Sequence, residues 1–294
     1  MPRLTANDFH PEVLRLFDQY VHGFIDRRAF IADAGKYAAA GVSGAALLEM
    51  LNPKFAEAQQ IKPDDARLNA KYVEYFSAQG TGRMKGYLAI PANATGKLPA
   101  VVVIHENRGL NPHTEDVARR LALEGFVAFA PDALTPLGGY PGNEDKAREL
   151  FPKLDQGHAR ADFIAAADFL KTHPAGSGKV GTVGFCYGGS IANMLATKVP
   201  DLAAAVPFYG GQPKAEDVPA IKCPLLIHYA ENDERINAGW PAYETALKAA
   251  NVRYEMHKYP GTQHGFLNDT TPRYDDAAAK LAWSRTVAFF KKHL

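Results

Sequence analysis

From residue 71 onward, short apolar runs alternate with stretches whose apolar positions recur every three or four residues. Lys71–Ser77 and Arg83–Ile90 carry strand patterning around Gly80-Thr81-Gly82, which predicts an antiparallel hairpin. Ala100–His105 is a continuous Val/Ile run, as expected of a strand buried on both faces. A helix is expected from His113 to Glu124, a strand from Phe126 to Pro131, and an irregular Gly/Pro-rich loop from Leu134 to Gly142. Helices over Glu144–Lys153 and His158–His173 follow, then a strand over Lys179–Phe185 and a helix over Gly188–Lys198. The remaining strands are Ala203–Tyr209, Pro224–Tyr229 and Arg253–Tyr259, with helices at Pro241–Ala250 and Asp275–His293. Such alternation is the pattern of an α/β domain with a mostly parallel sheet and helices on both faces.

The preceding segment is different. Val13, Leu14, Phe17, Val21, Phe24 and Ile25 recur at helical spacing, which predicts a helical N-terminal extension over residues 1–58. The same stretch contains Arg27-Arg28-Ala29-Phe30-Ile31, an apolar run from Ala38 to Leu51, and Phe55-Ala56-Glu57-Ala58, which together resemble a twin-arginine export signal with a small-residue cleavage site. Against export, 26 residues precede the arginines, and Asp33, Lys36 and Glu49 dilute the apolar run. The expectation is a cytoplasmic protein, with periplasmic export as the alternative. Residues 59–70 are expected to be a polar linker containing Pro63, and residues 71–294 the main domain.

Composition narrows the function classes. The 33 basic and 32 acidic residues nearly cancel, so there is no electrostatic footprint for nucleic acid. No apolar run is long enough to span a bilayer, so no stable membrane association is expected. Two cysteines, Cys186 and Cys223, neither form a disulfide framework nor offer zinc-site spacing.

The chemistry concentrates at Gly184-Phe185-Cys186-Tyr187-Gly188-Gly189, which follows a strand and opens a helix. It fits the nucleophile-elbow pattern G-x-S-x-G with cysteine in the serine place. The helix N-terminus favours the thiolate, the reactive form. Acid and histidine should follow in that order. The buried strand from Pro224 runs into a loop that carries acids, where Asp233 lies in the place of the triad acid with Glu231 and Glu234 nearby, and His264 lies in a loop after the last strand. An imidazole there takes the thiol proton and later protonates the leaving group. His10, His22, His158, His173 and His293 are expected to be solvated or helix-terminal. The loop at His105-Glu106-Asn107-Arg108-Gly109 should supply a second oxyanion donor, which points to the N–H groups of Tyr187 and Asn107. Gly176-Ser177-Gly178-Lys179-Val180-Gly181 matches a dinucleotide fingerprint by letters but precedes a strand instead of following one. No cofactor and no metal are called for.

These residues resemble the dienelactone hydrolase (carboxymethylenebutenolidase) family, over about Val73 to His293. The likeness rests on His105-Glu106, Ala130-Pro131-Asp132, the Cys186 turn, Asp233, and His264-Gly265-Phe266. It implies an α/β-hydrolase fold in which Cys186 is the nucleophile, Asp233 the acid and His264 the base. It also implies that Glu106 contacts the resting thiol and helps to switch it to thiolate. Arg148 matches by position an arginine that binds a substrate carboxylate. Where a second is expected the chain has Asn268, leaving Arg108, Arg235 or Arg273 to fill the place. The implied partner is a small lactone or ester, cleaved through a thioester. The alternatives are hydrolysis of another small ester or peptide-like bond, or a non-enzymatic thiol sensor.

Overall fold

The computed structural model describes residues 3–39 and 41–294; Met1, Pro2 and Ala40, which the expected extension includes, lie outside the described residues. The main domain is built on one eight-stranded sheet. Its strands are β1 (Leu68–Ser77), β2 (Gly82–Pro91), β3 (Leu98–Ile104), β4 (Val127–Pro131), β5 (Gly176–Phe185), β6 (Ala204–Phe208), β7 (Leu225–Asn232) and β8 (Tyr254–Gln263). They lie in the order β1-β2-β4-β3-β5-β6-β7-β8. The β1–β2 and β2–β4 pairs are antiparallel and the rest parallel, so the expected hairpin forms one edge.

Alternation along the strands divides two cores between the faces. Val102, Ile104 and Phe129 pack on one side, with Phe163, Ile191 and Leu247 of the helices that cover it. Val101, Val103 and Ala128 pack on the other, with Val117, Leu121 and Phe290. Val101 to Ile104 are all fully buried, and each such side chain contributes about 1.5–3 kcal/mol by leaving water.

Four helices precede the sheet: α1 (Pro11–Val21), α2 (Arg27–Ala34), α3 (Gly44–Leu51) and the short α4 (Phe55–Ala58). Within the main domain follow α5 (Pro112–Leu123), α6 (Glu144–Leu150), α7 (Gln156–Thr172), α8 (Tyr187–Lys198), α9 (Glu234–Asn237), α10 (Trp240–Ala249) and α11 (Asp276–His293). The N-terminal helices have a small core of their own, in which Phe30, Leu48 and Leu51 are almost fully buried. Phe30 is the fourth residue of the Arg27–Ile31 stretch that resembles an export motif; it sits in the middle of α2, one turn before Ala34, which is equally buried.

This helical unit docks on the main domain at the carboxyl ends of the strands, where open α/β sheets place their ligand crevice. Arg27 pairs with Asp145 at 2.7 Å, Tyr20 Oη donates to Asp145 at 2.5 Å, and the Lys54 N–H donates to the Thr270 carbonyl at 2.7 Å. The connecting residues are pinned as well. The N–H groups of Gln60 and Ile61 donate to Asp116, and Arg119 Nε donates to the Ile61 carbonyl at 2.9 Å. Among the described residues, no helix is long and apolar enough to cross a membrane.

Candidate active site

Cys186 stands between the last residue of β5 and the first of α8, at φ 54°, a left-handed conformation unfavourable for a residue with a side chain. The strand-to-helix reversal is tight enough to explain the flanking glycines. A Cβ on Gly184 would lie 1.9 Å from the Gly188 carbonyl oxygen, and one on Gly188 would lie 2.3 Å from that of Ile104. The turn is fixed by the Cys186 N–H donating to the Phe208 carbonyl at 3.1 Å. As the first helical residue, Tyr187 has no intrahelical acceptor for its N–H.

His264 follows directly on β8, which runs on past the Pro260-Gly261 break expected from the sequence to Gln263. His264 Nδ1 lies 2.5 Å from Asp233 Oδ2, and both side chains are buried. Asp233 is itself held as the N-cap of α9. Of the three candidate acids, Glu231 is instead exposed and accepts from the Gly261 N–H at 2.8 Å, and Glu234 is exposed. The loop after His264 is anchored by Asp269, which meets Arg120 at 2.6 Å and His113 at 3.1 Å. With Nδ1 committed to the carboxylate, Nε2 is buried and has no hydrogen-bond partner among the described residues.

Burial alone would raise the Cys186 thiol pKa. The imidazoles of His264 and His22 outweigh that and bring it down to about 6. Burial likewise opposes charge on His264, but the Cys186 sulfur and Asp233 overcome it and raise its pKa to about 10. Both shifts point the same way, favouring a thiolate beside an imidazolium. Cys223 is the contrast: packed in the core away from any such partner, its thiol is pushed up to about 12 by burial.

His22 corrects an expectation. It does end a helix, as C-cap of α1, but it is not solvated: its side chain is 9% exposed and its Nε2 lies 3.3 Å from Cys186 Sγ. Nδ1 faces the Asp18 carbonyl at 2.7 Å and the Asp18 carboxylate at 3.3 Å. Val21-His22-Gly23 and Gln263-His264-Gly265 share one local form, a histidine followed by glycine at positive φ (79° and 86°). That echo is the one feature of the sequence that singles out His22.

The other expected residues separate into those at the sulfur and those around it. Glu106 lines the same cavity, yet its carboxylate accepts from Asn268 Nδ2 at 3.2 Å and makes no hydrogen bond to Cys186. Asn107 and Arg108 also line the cavity, and both donate to the Val21 carbonyl, at 2.8 and 2.9 Å. Arg148 does not line it; its guanidinium lies 4.6 Å over the Tyr20 ring. Arg273 does line it, buried over the Phe17 ring, with Nε and Nη1 lacking hydrogen-bond partners and Nη1 3.7 Å from Asp18. The cavity, about 40 Å³ and open on one side, has Phe17, Tyr20, Val21 and His22 of the N-terminal segment in its wall.

His22, Cys186 and His264 present three donor atoms within 4.8 Å of one another, a set that suits a soft divalent cation. Arg235 Nη2, however, lies 3.0 Å from His22 Nε2, which sets a permanent positive charge against such an ion.

Comparison with known proteins identifies the family of the domain that carries this site. Residues 84–294 match the dienelactone hydrolase family, and residues 1–39 match a YqhI-like family. A Saccharolobus solfataricus protein named "Putative carboxymethylenebutenolidase" is 32% identical, covering 74% of this chain and 98% of its own. A Klebsiella pneumoniae crystal structure described as a "Putative Dienelactone Hydrolase" superposes with a TM-score of 0.67 at 30% identity, covering 76% of this chain and 99% of that one. A metagenomic "Dienelactone Hydrolase-like Promiscuous Phospotriesterase" superposes at 0.66 with 27% identity, covering 78% and 99%.

Proposed function

Because the chain belongs to the dienelactone hydrolase family and is thereby a carboxylic ester hydrolase, we propose that Cys186 is its nucleophile and that it cleaves small lactones or esters through a thioester. The observation that carries this reading is the Cys186 thiol, held at a strained turn beside a buried His264–Asp233 pair that stabilises its thiolate. The thiolate attacks the substrate carbonyl carbon. The oxygen that becomes negative is received by the N–H groups of Tyr187 and Asn107, each such donor lowering the barrier by about 3–4 kcal/mol. Collapse expels the alcohol, water attacks the thioester, and the thiolate returns. His264, oriented by Asp233, keeps the sulfur ionised between turnovers. Glu106, bonded to Asn268, lines the cavity wall and is read as a positioning residue of the site.

Arg273 and Arg108 are the arginines that reach the cavity, and we assign them, in place of Arg148, the binding of a substrate carboxylate. Residues 1–58 are read as a retained wall of a cytoplasmic enzyme, with 59–70 connecting them to the hydrolase domain of 71–294. Intact-mass measurement on protein from native cells tests retention, and a mature N-terminus at or after Ala58 would refute it.

Nucleophile and chemistry are tested together by mixing the protein with a slowly turned-over p-nitrophenyl ester and quenching in acid. Mass spectrometry should find the acyl group on the peptide bearing Cys186. Cys186→Ala should lose both adduct and turnover, and wild-type turnover in that variant would show that the nucleophile is another group.

A further inference from the structure

We propose that His22, delivered by the N-terminal helices, is a second catalytic imidazole: it carries the proton to the leaving alcohol and then takes one from the attacking water. The inference rests on Cys186 being the nucleophile. It divides between two histidines the work that a simple triad would give to His264 alone.

The geometry supports the division. Both imidazoles reach the sulfur region through Nε2 with Nδ1 turned to an acceptor, so each is fixed in one orientation. Their partners differ. His264 Nδ1 is clamped at 2.5 Å on a buried carboxylate, an arrangement that holds its proton too firmly for an efficient acid near neutral pH. His22 Nδ1 faces a backbone carbonyl at 2.7 Å, with the Asp18 carboxylate further off at 3.3 Å. The charged and titratable groups facing His22 are Asp18 on its own helix, Cys186, His264 and the exposed Arg235. Burial penalises its charged form, while the Cys186 sulfur and Asp18 raise its pKa. Arg235 Nη2, 3.0 Å from His22 Nε2, can only donate to that nitrogen, so its exposed side chain turns to solvent when Nε2 carries the proton; His22, 9% exposed against 5% for His264, is the histidine nearer solvent.

The cycle balances with one mobile proton. In acylation the C–S bond forms, the ester C–O bond breaks, and the His22 Nε2 proton passes to the departing oxygen. In deacylation neutral His22 takes a proton from water as its oxygen attacks the thioester. The C–S bond then breaks, the carboxylic acid leaves, and Cys186 returns as thiolate beside a re-protonated His22. His264, clamped on Asp233, keeps its own proton and is the counter-ion of the sulfur whenever the sulfur is thiolate.

The test uses the full-length protein with His22→Gln, and His22→Asn as a second variant in case the first misfolds, each checked by its thermal midpoint. With p-nitrophenyl acetate, whose leaving group needs no acid, the variant should keep its acylation burst within about 3-fold once thiolate absorbance at 240 nm has been used to correct for ionisation. Steady-state turnover should fall by about 100-fold, the size of a lost general base, and acyl-enzyme should accumulate. Hydroxylamine, a nucleophile that needs no base, should restore turnover. With an alkyl acetate, whose leaving group does need an acid, the burst itself should be lost. If burst and turnover change equally on both esters, or neither changes, His22 is a structural wall only. If Cys186→Ala in parallel retains a burst, the failure lies in the assignment of the nucleophile.

Discussion

Asp233→Asn isolates the electrostatic part of the site with little change of shape. The substitution preserves volume and the capping role toward the Ile236 N–H, but replaces the carboxylate that lies 2.5 Å from His264 Nδ1 with a neutral amide. The amide NH₂ turned toward Nδ1 would favour the tautomer with the proton on Nε2, which is the wrong one for a base. The thiol falls from its ordinary 9.0 to about 6 in the native site, worth about 4 kcal/mol of preference for the thiolate. That preference comes from the imidazoles of His264 and His22, and the charge on His264 is sustained by the Cys186 sulfur and by Asp233. Without the carboxylate His264 holds its charge less well, so the thiol pKa should rise from about 6 toward its ordinary value and the thiolate fraction at pH 7.5 should fall. Adding the misoriented imidazole, kcat/KM should fall by about 10³–10⁴. The assay is a pH titration of thiolate absorbance at 240 nm, with Cys186→Ala subtracted, alongside kcat/KM for p-nitrophenyl acetate. A titration still centred near 6 with kcat/KM within 3-fold of wild type would refute the electrostatic account.

Three further outcomes follow from the same geometry. The thiol is protonated below about 6 and His264 loses its proton above about 10, so kcat/KM should rise through the first value, stay level and fall through the second; a profile still rising at pH 9 would contradict the ion pair. Gly184→Ala puts a Cβ 1.9 Å from a backbone oxygen that moves only with α8, and should cost about 3 kcal/mol or more in urea unfolding. Gly96→Ala, with open space around it, should change stability by less than about 0.5 kcal/mol, and equal effects of the two would count against the packing argument. Arg273→Met should raise KM about 10- to 100-fold for esters carrying a free carboxylate while leaving p-nitrophenyl acetate unaffected; an equal rise for both would remove Arg273 from substrate recognition.

The sequence was most informative where local patterning and burial coincide. Val101–Ile104 could only be a strand covered on both faces, and the glycines around Cys186 already specified a reversal too tight for a side chain. The order of acid and histidine pointed to Asp233 and His264, whose side chains the fold brings together. The end of β8 was harder to see, because Pro260 looks like a strand breaker. Yet β8 is the edge of the sheet, where the missing N–H faces no partner, and a register shift between Ala230 and Asn232 absorbs the irregularity. Around the sulfur, position in a motif proved a weaker guide than contact. Glu106 is in the right loop, but Asn268, standing where an arginine was expected, takes its carboxylate.

The N-terminal segment shows why such contacts escape sequence patterning. The periodicity of α1 says which face is buried, and Val13, Leu14 and Phe17 are buried as expected. It says nothing about what a residue at the helix end meets, and His22 meets a sulfur 164 positions away. The export-like features have the same ambiguity at their source. Small and apolar residues suit a membrane-bound signal and a packed helix equally, and here Phe30, Ala34 and Leu51 are the buried members of a small helical core. Composition does not separate the two readings, but polar contacts bear on them, because an export signal requires none with the body it precedes. This segment has its Val21 carbonyl on Asn107 and Arg108, Tyr20 and Arg27 on Asp145, and His22 on the Cys186 sulfur. Each is a hydrogen bond at the cavity wall that would lose its partner if the segment were cleaved away. Taken with the family match to its first 39 residues, they favour a segment that works where it is folded.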